Sequence, residues 1–115
     1  MAEECLFCRI VAGEIPSDIV YQDEDFLAFR DIEPQAPKHV IVIPKIHITS
    51  LVELTEKQQG LIGRLIILAR NLAVAEGVAK SGYRLAINCG PEGGQVVPHL
   101  HLHLIGGRRL SDQLG

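Results

Sequence analysis

His99, His101 and His103 stand at every second position, separated by Leu100 and Leu102 and followed by Leu104 and Ile105. On a β-strand successive side chains point to opposite faces, so the three imidazoles share one face, roughly 6.6–6.8 Å apart along the strand, and the leucines share the other. A helix would scatter the same histidines around its circumference. An imidazole titrates near neutrality and can attack an electrophile, move a proton or bind a metal. Three successive rings in line cannot converge on one tetrahedral ion, which argues against a metal held by all three. A nucleophile reading fits the spacing better. His101 is the middle ring, with one neighbour placed to orient it and the other to meet an anionic substrate. Just upstream, Gly93-Gly94-Gln95 offers free backbone N–H groups and close approach to a phosphate. A second constellation is Cys5-x-x-Cys8, which suits half of a zinc site, a redox pair or no chemistry. No thioredoxin-like βαβ pattern surrounds it, and this disfavours the redox reading.

The elements that must position these residues can be read from periodicity and punctuation. Residues 4–12 read as a short helix ended by Gly13. Ile19 to Gln22 and Phe26 to Arg30 read as strands of a hairpin turned at Asp23-Glu24-Asp25. Two prolines within Pro34-Gln35-Ala36-Pro37 predict an extended loop. The β-branched run His39-Val40-Ile41-Val42-Ile43 predicts a strand closed by Pro44. Thr55 and Gln58 form a capping box. Leu61, Ile62, Leu65, Leu68, Ala69 and Leu72 recur at helical spacing, and Gly77 supplies a C-terminal cap. One long helix is therefore expected over residues 56–76. Tyr83 to Cys89 reads as a strand, and the glycine loop then leads into the histidine strand. The order predicts a single α+β domain over residues 1–115: an antiparallel sheet, one face on the long helix and the other carrying the histidines.

Composition narrows the function classes. The chain has 115 residues, 47% of them hydrophobic, and a formal net charge of −3. No basic stripe marks a nucleic-acid surface, and no apolar run reaches membrane-span length. Three cysteines are too few and too unevenly spaced for a disulfide framework. Met1-Ala2-Glu3-Glu4 is acidic, without a hydrophobic leader, and the expectation is a cytoplasmic protein without nucleic-acid or membrane partners.

The run His99-Leu100-His101-Leu102-His103-Leu104-Ile105 resembles the signature of the histidine triad (HIT) superfamily. Phe7-x-x-Ile10, Glu14-Ile15-Pro16, Phe29-Arg30-Asp31-Ile32, Pro34-Gln35-Ala36-Pro37, His39, Val42-Ile43-Pro44, Gly82-Tyr83-Arg84, Asn88, Gly93-Gly94-Gln95 and Gly106-Gly107-Arg108 extend the resemblance to its Hint branch, the purine nucleoside phosphoramidases. The resemblance implies a homodimer whose sheets join, and a site for AMP derivatives on each protomer. It implies hydrolysis of a P–N bond, as in AMP-lysine or AMP-NH2, through a nucleotidyl-histidine intermediate. His101 would be the nucleophile and His103 would contact the phosphate. His99 and His39 would support a relay that tunes His101. Asp31 would hold the ribose, and Phe7, Ile10, Phe29, Ile32 and Ile41 would form the purine and sugar pocket. Asn88, Gly94, Gln95 and Val97 would line the phosphate side. Without the resemblance, Phe7, Ile10, Phe29 and Ile41 would read as ordinary core, and Asp31 and Asn88 as turn residues. Val96 stands where the branch usually carries a serine, and a valine cannot donate a hydrogen bond to a leaving group.

The chemistry so implied needs no cofactor. Some bacterial HIT proteins hold a structural zinc with such a cysteine pair and two histidines. The resemblance places that set at Cys5, Cys8, His47 and His99, which would give His99 two competing duties. Two other functions fit the same residues: a dinucleoside polyphosphate hydrolase, or a nucleotide-binding regulatory protein with vestigial hydrolysis.

Overall fold

The computed structural model describes residues 5–113. Helix α1 spans Leu6–Val11. It starts later than the sequence suggests. Cys5 takes an extended conformation and caps it, its Sγ accepting from the Cys8 N–H at 3.3 Å. Glu4, the expected first residue, lies outside the described residues. Strands β1 (Ile19–Gln22) and β2 (Phe26–Arg30) form the expected hairpin. Its turn is fixed by the Asp23 carboxylate, which accepts from the N–H groups of Asp25 and Phe26 at 2.8 Å each. Strand β3 spans Lys38–Pro44, with Pro44 as its last residue.

The Thr55–Gln58 capping box forms as read, but it caps a 3-10 turn over Glu56–Gln58. The long helix proper, α2, runs Gln59–Ala75. It ends in a Schellman arrangement. The Gly77 N–H reaches the Val74 carbonyl at 3.1 Å, and the Val78 N–H reaches that of Ala73 at 3.0 Å. Gly77 has φ +79°, the left-handed conformation that this cap requires. Strand β4 covers Tyr83–Ala86 rather than reaching Cys89, because its partner strand, β5 (Leu102–Gly106), pairs no further than His103.

All pairings are antiparallel, in the order β1-β2-β3-β5-β4. Alternation sorts the side chains into two layers. Ala28, Val40, Val42, Leu102 and Leu104 pack on Leu65, Ala69, Leu72 and Ala73 of α2. Leu27, Phe29, Ile41 and Ile43 pack instead on Phe7 and Ile10 of α1. His103 lies opposite Ile41 and His39 opposite Ile105, so the two histidines are diagonal neighbours on the α1 face. A two-pronged ion pair from Arg30 to Glu76, at 2.6 and 3.1 Å, ties β2 to the end of α2 and holds the Glu76 carboxyl below its usual range. Among the described residues no helix is long and apolar enough to cross a membrane.

The histidine strand differs from expectation at its start. Ladder pairing begins at Leu102, leaving His99 and His101 before it. There the Leu100 N–H bonds the Ile48 carbonyl at 2.6 Å and the His99 N–H bonds that of Val97 at 2.8 Å. This irregular stretch turns the His99 ring away from its two companions.

Candidate active site and metal centre

A cleft of about 500 Å³ opens on the α1 face. Phe7, Ile10, Phe29 and Ile41 form its apolar wall, and Asp31 and Ile32 its rim. His101 and His103 close its inner end, beside Gly94, Val96 and Val97. The apolar residues do core duty as well, since Phe7, Phe29 and Ile41 belong to a buried cluster. Asn88 and Gln95 are placed differently. Asn88 donates to the Gly93 carbonyl at 2.8 Å and lines a neighbouring depression beyond His103. The Gln95 carboxamide accepts from the Gly90 N–H at 2.9 Å and donates to the carbonyls of Thr49 and Val97 at 2.7 and 3.1 Å. That side chain braces the glycine loop instead of facing the cleft.

The proton positions of the cleft histidines follow from fixed backbone groups. The Gln35 N–H donates to His39 Nδ1 at 3.0 Å, so a neutral His39 carries its proton on Nε2. That Nε2 is 2.9 Å from His103 Nδ1 and donates to it. His103 must then carry its own proton on Nε2, leaving a donor at the cleft. His101 is set the opposite way. Its Nδ1–H donates to the His99 carbonyl at 2.7 Å, which leaves the Nε2 lone pair free. The rings of His101 and His103 lie 4.9 Å apart, closer than a straight strand repeat, because the chain bends before β5 and the rings tilt by 72°. A lone pair and an N–H donor are thus presented side by side. Asp31, His39 and His103 also cluster closely enough to suggest a metal. The proton on His39 Nε2 removes the lone pair that such an ion would need.

Burial lowers the affinity of His39, His101 and His103 for a second proton, and the His103 pKa is pushed down to about 4. Asp31, 3.4 Å from His39 Nε2, opposes this without reversing it. The rings are therefore neutral near pH 7, as a nucleophile requires. A stability consequence follows. Between 6.5 and about 4 the unfolded chain protonates His103 while the folded chain resists, so stability falls as pH falls through that window and levels off below it. Thermal melting over this range should show a steeper decline for the parent than for His103→Asn.

A second cluster lies behind the triad. The donor atoms of Cys5, Cys8, His47 and His99 all fall within 4.8 Å of one another. Cys5 Sγ is 3.3 Å from His99 Nδ1, and Cys8 Sγ is 3.3 Å from His47 Nδ1 and 3.5 Å from His99 Nδ1. With Zn–S of about 2.3 Å and Zn–N of about 2.0–2.1 Å, a tetrahedral site has S···N edges of about 3.5 Å. The outer nitrogens are also occupied suitably. His99 Nε2–H donates to the Pro44 carbonyl at 2.8 Å, which frees Nδ1 as a ligand, and His47 Nε2 lies 3.4 Å from Thr49 Oγ1. The four residues fit a structural Zn²⁺. Without a cation, burial and the Cys5 thiol push the Cys8 thiol up to about 11, so loading must release the Cys8 proton. His99's two duties are reconciled by its parts: the ring faces the cysteines, and only the backbone carbonyl reaches His101.

The backbone groups that fix these rings were invisible to reasoning from side-chain types. The Gln35 N–H, Pro44 carbonyl and His99 carbonyl carry no residue signature. The nearest signal was the Pro34-Gln35-Ala36-Pro37 loop, which places Gln35 beside His39.

Residues 12–110 match the HIT domain family. The chain belongs to the HIT family. It is 49% identical over 114 residues to the purine nucleoside phosphoramidase of Escherichia coli K12, covering 99% of this chain and 96% of that one. It is 46% identical over 108 residues to the 14 kDa zinc-binding protein of Zea mays, covering 92% of this chain and 84% of that one. A HIT family hydrolase from Legionella pneumophila Philadelphia 1 superposes with a TM-score of 0.95 at 47% identity, covering 97% of this chain and all of that one. HIT family hydrolases share this fold, and the Cys5–Cys8–His47–His99 cluster is suited to zinc.

Proposed function

We propose that this HIT protein hydrolyses purine nucleoside phosphoramidates of the AMP-lysine or AMP-NH2 type. The observation that carries the reading is the opposed tautomers of His101 and His103 at the inner end of an apolar cleft. The purine would lie against Phe7, Ile10, Phe29 and Ile41, with the ribose hydroxyls at Asp31. His101 Nε2 attacks phosphorus and forms an N–P bond while the P–N bond to the leaving group breaks. The departing nitrogen takes a proton from solvent and leaves as an amine. Water then attacks the nucleotidyl-histidine, releasing AMP and restoring the imidazole. His103 Nε2–H donates to a phosphoryl oxygen, where negative charge accumulates in both steps. His39 acts one ring further back by fixing the His103 tautomer.

Release of AMP from an adenosine phosphoramidate by the purified protein tests the reading. Binding of AMP without turnover on any phosphoramidate would replace it with a nucleotide-binding regulatory role. Val96 lines the cleft with 89% of its surface exposed, so a serine there meets little packing penalty. Val96→Ser should raise kcat/KM by about fivefold, the worth of one added hydrogen bond to the leaving group. Parallel assays on phosphoramidates with different amines check it.

The same reading includes a homodimer. Among the described residues β4 pairs only with β5, leaving an outer edge, and α2 exposes Ile66, Ile67 and Val74. A monomer mass by light scattering would remove this part.

A further inference from the structure

The Cys/His centre and the histidine cleft are joined through two short links. The first is His99. Its ring belongs to the cysteine cluster, and its carbonyl accepts the His101 Nδ1–H at 2.7 Å. The second is Phe7, which sits between Cys5 and Cys8 on α1. Its ring packs T-shaped against His101, centroids 5.1 Å apart at 88°, and its centroid lies 5.9 Å from that of His99 and 5.4 Å from that of Phe29. Phe7 and Ile10 also wall the cleft. Helix α1 has only six residues, too few to hold a helix in water by itself. Its position depends on what anchors Cys5 and Cys8 and on the packing of Phe7 and Ile10.

We propose that the Cys5–Cys8–His47–His99 centre is a positioning device for the cleft: holding its metal fixes the His99 carbonyl and the α1 wall, and so fixes the orientation of His101 and the nucleotide pocket. The proposal rests on the cleft role given above for His101, but its geometry does not. When the centre is loaded, the His99 ring is clamped between the cysteines and the Pro44 carbonyl, and its peptide plane cannot turn. The carbonyl then holds His101 in the Nδ1–H tautomer. When the centre is empty, α1 loses its clamp, and Phe7 no longer braces the His101 ring. A purely architectural centre would raise melting temperature without affecting either the tautomer or the pocket.

The test is made at about pH 8, above the ordinary histidine range, so that ring orientation rather than protonation is read. Protein labelled with 15N-histidine is compared zinc-loaded and chelator-stripped, and AMP is titrated into both forms. Loaded protein should show His101 as a single Nδ1–H tautomer. Stripped protein should show a mixture of tautomers and bind AMP about tenfold more weakly, within the usual range for coupled sites. Linkage then requires AMP to tighten zinc retention by the same factor in a chelator competition. An unchanged tautomer with unchanged AMP affinity overturns the proposal. Failure of the loaded protein to bind AMP would sink the proposed function, while the tautomer comparison still decides the coupling. If stripping unfolds the chain, His47→Asn replaces it. This variant keeps Cys5, Cys8 and His99 together, and its AMP affinity and His101 spectrum should follow added zinc. A flat response there also overturns the proposal.

Discussion

Replacing His101 by alanine should lower phosphoramidate hydrolysis by about 10⁴-fold or more while leaving AMP affinity within about threefold. The asymmetry comes from where the ring sits. The purine wall is made by Phe7, Ile10, Phe29 and Ile41, which pack together in one buried cluster. The reacting lone pair has no substitute, because His103 presents an N–H at the cleft and the His99 ring faces the cysteines. His103→Ala should cost less, about 10²–10³-fold, as loss of one donor to a developing oxyanion. Initial rates on an adenosine phosphoramidate, beside calorimetric titration with AMP, separate the two. Activity of His101→Ala within tenfold of the parent would remove the nucleophile assignment. Equal loss of binding and turnover would make His101 a pocket residue.

Cys5→Ser should lower the melting temperature by at least about 12 °C. Cys5 is 3% exposed, caps α1 and faces the His99 ring, so the substitution removes a metal ligand and puts a hydroxyl in its place. For a small domain, ligand binding to a structural centre is folding free energy. A loss of about 3 kcal/mol at roughly 4 °C per kcal/mol gives the stated shift. The parent should carry close to one zinc per chain by elemental analysis, and the variant much less. A chelator should destabilise the parent and hardly move the variant. A parent free of zinc, with a melting temperature indifferent to chelator, would leave the cluster as an ordinary packed contact.

Much of this molecule was legible before folding because periodicity is a local property. The β-branched run His39–Ile43, the hairpin strands either side of Asp23-Glu24-Asp25, and the helical recurrence from Leu61 to Leu72 each mark an element whose apolar side chains must be buried. Those elements appear close to their expected bounds. The bounds that moved did so where a partner decided them. Strand β4 stops at Ala86 because its pairing with β5 ends at His103, and β5 begins at Leu102 because its pairing with β3 starts there; no single segment records the length of its neighbour. The capping box was read correctly but begins a 3-10 turn, since the same side-chain bonds close either kind of first turn.

By itself the sequence determined which residues could do chemistry: a histidine row with apolar partners, a glycine loop before it, and two cysteines four residues apart counting both. Side-chain type and spacing are written in the chain, and together with the HIT resemblance they named the cleft and the zinc set. The tertiary structure alone decided how those residues divide the work. Strict alternation placed His99, His101 and His103 on one face as equals. Folding made them different, because each ring answers to a backbone group brought from elsewhere: the Pro44 carbonyl for His99, the His99 carbonyl for His101, and the Gln35 N–H through His39 for His103. Every residue except proline carries the same N–H and every residue the same C=O, so their placement leaves no mark on the sequence, and a proton's position depends on that placement.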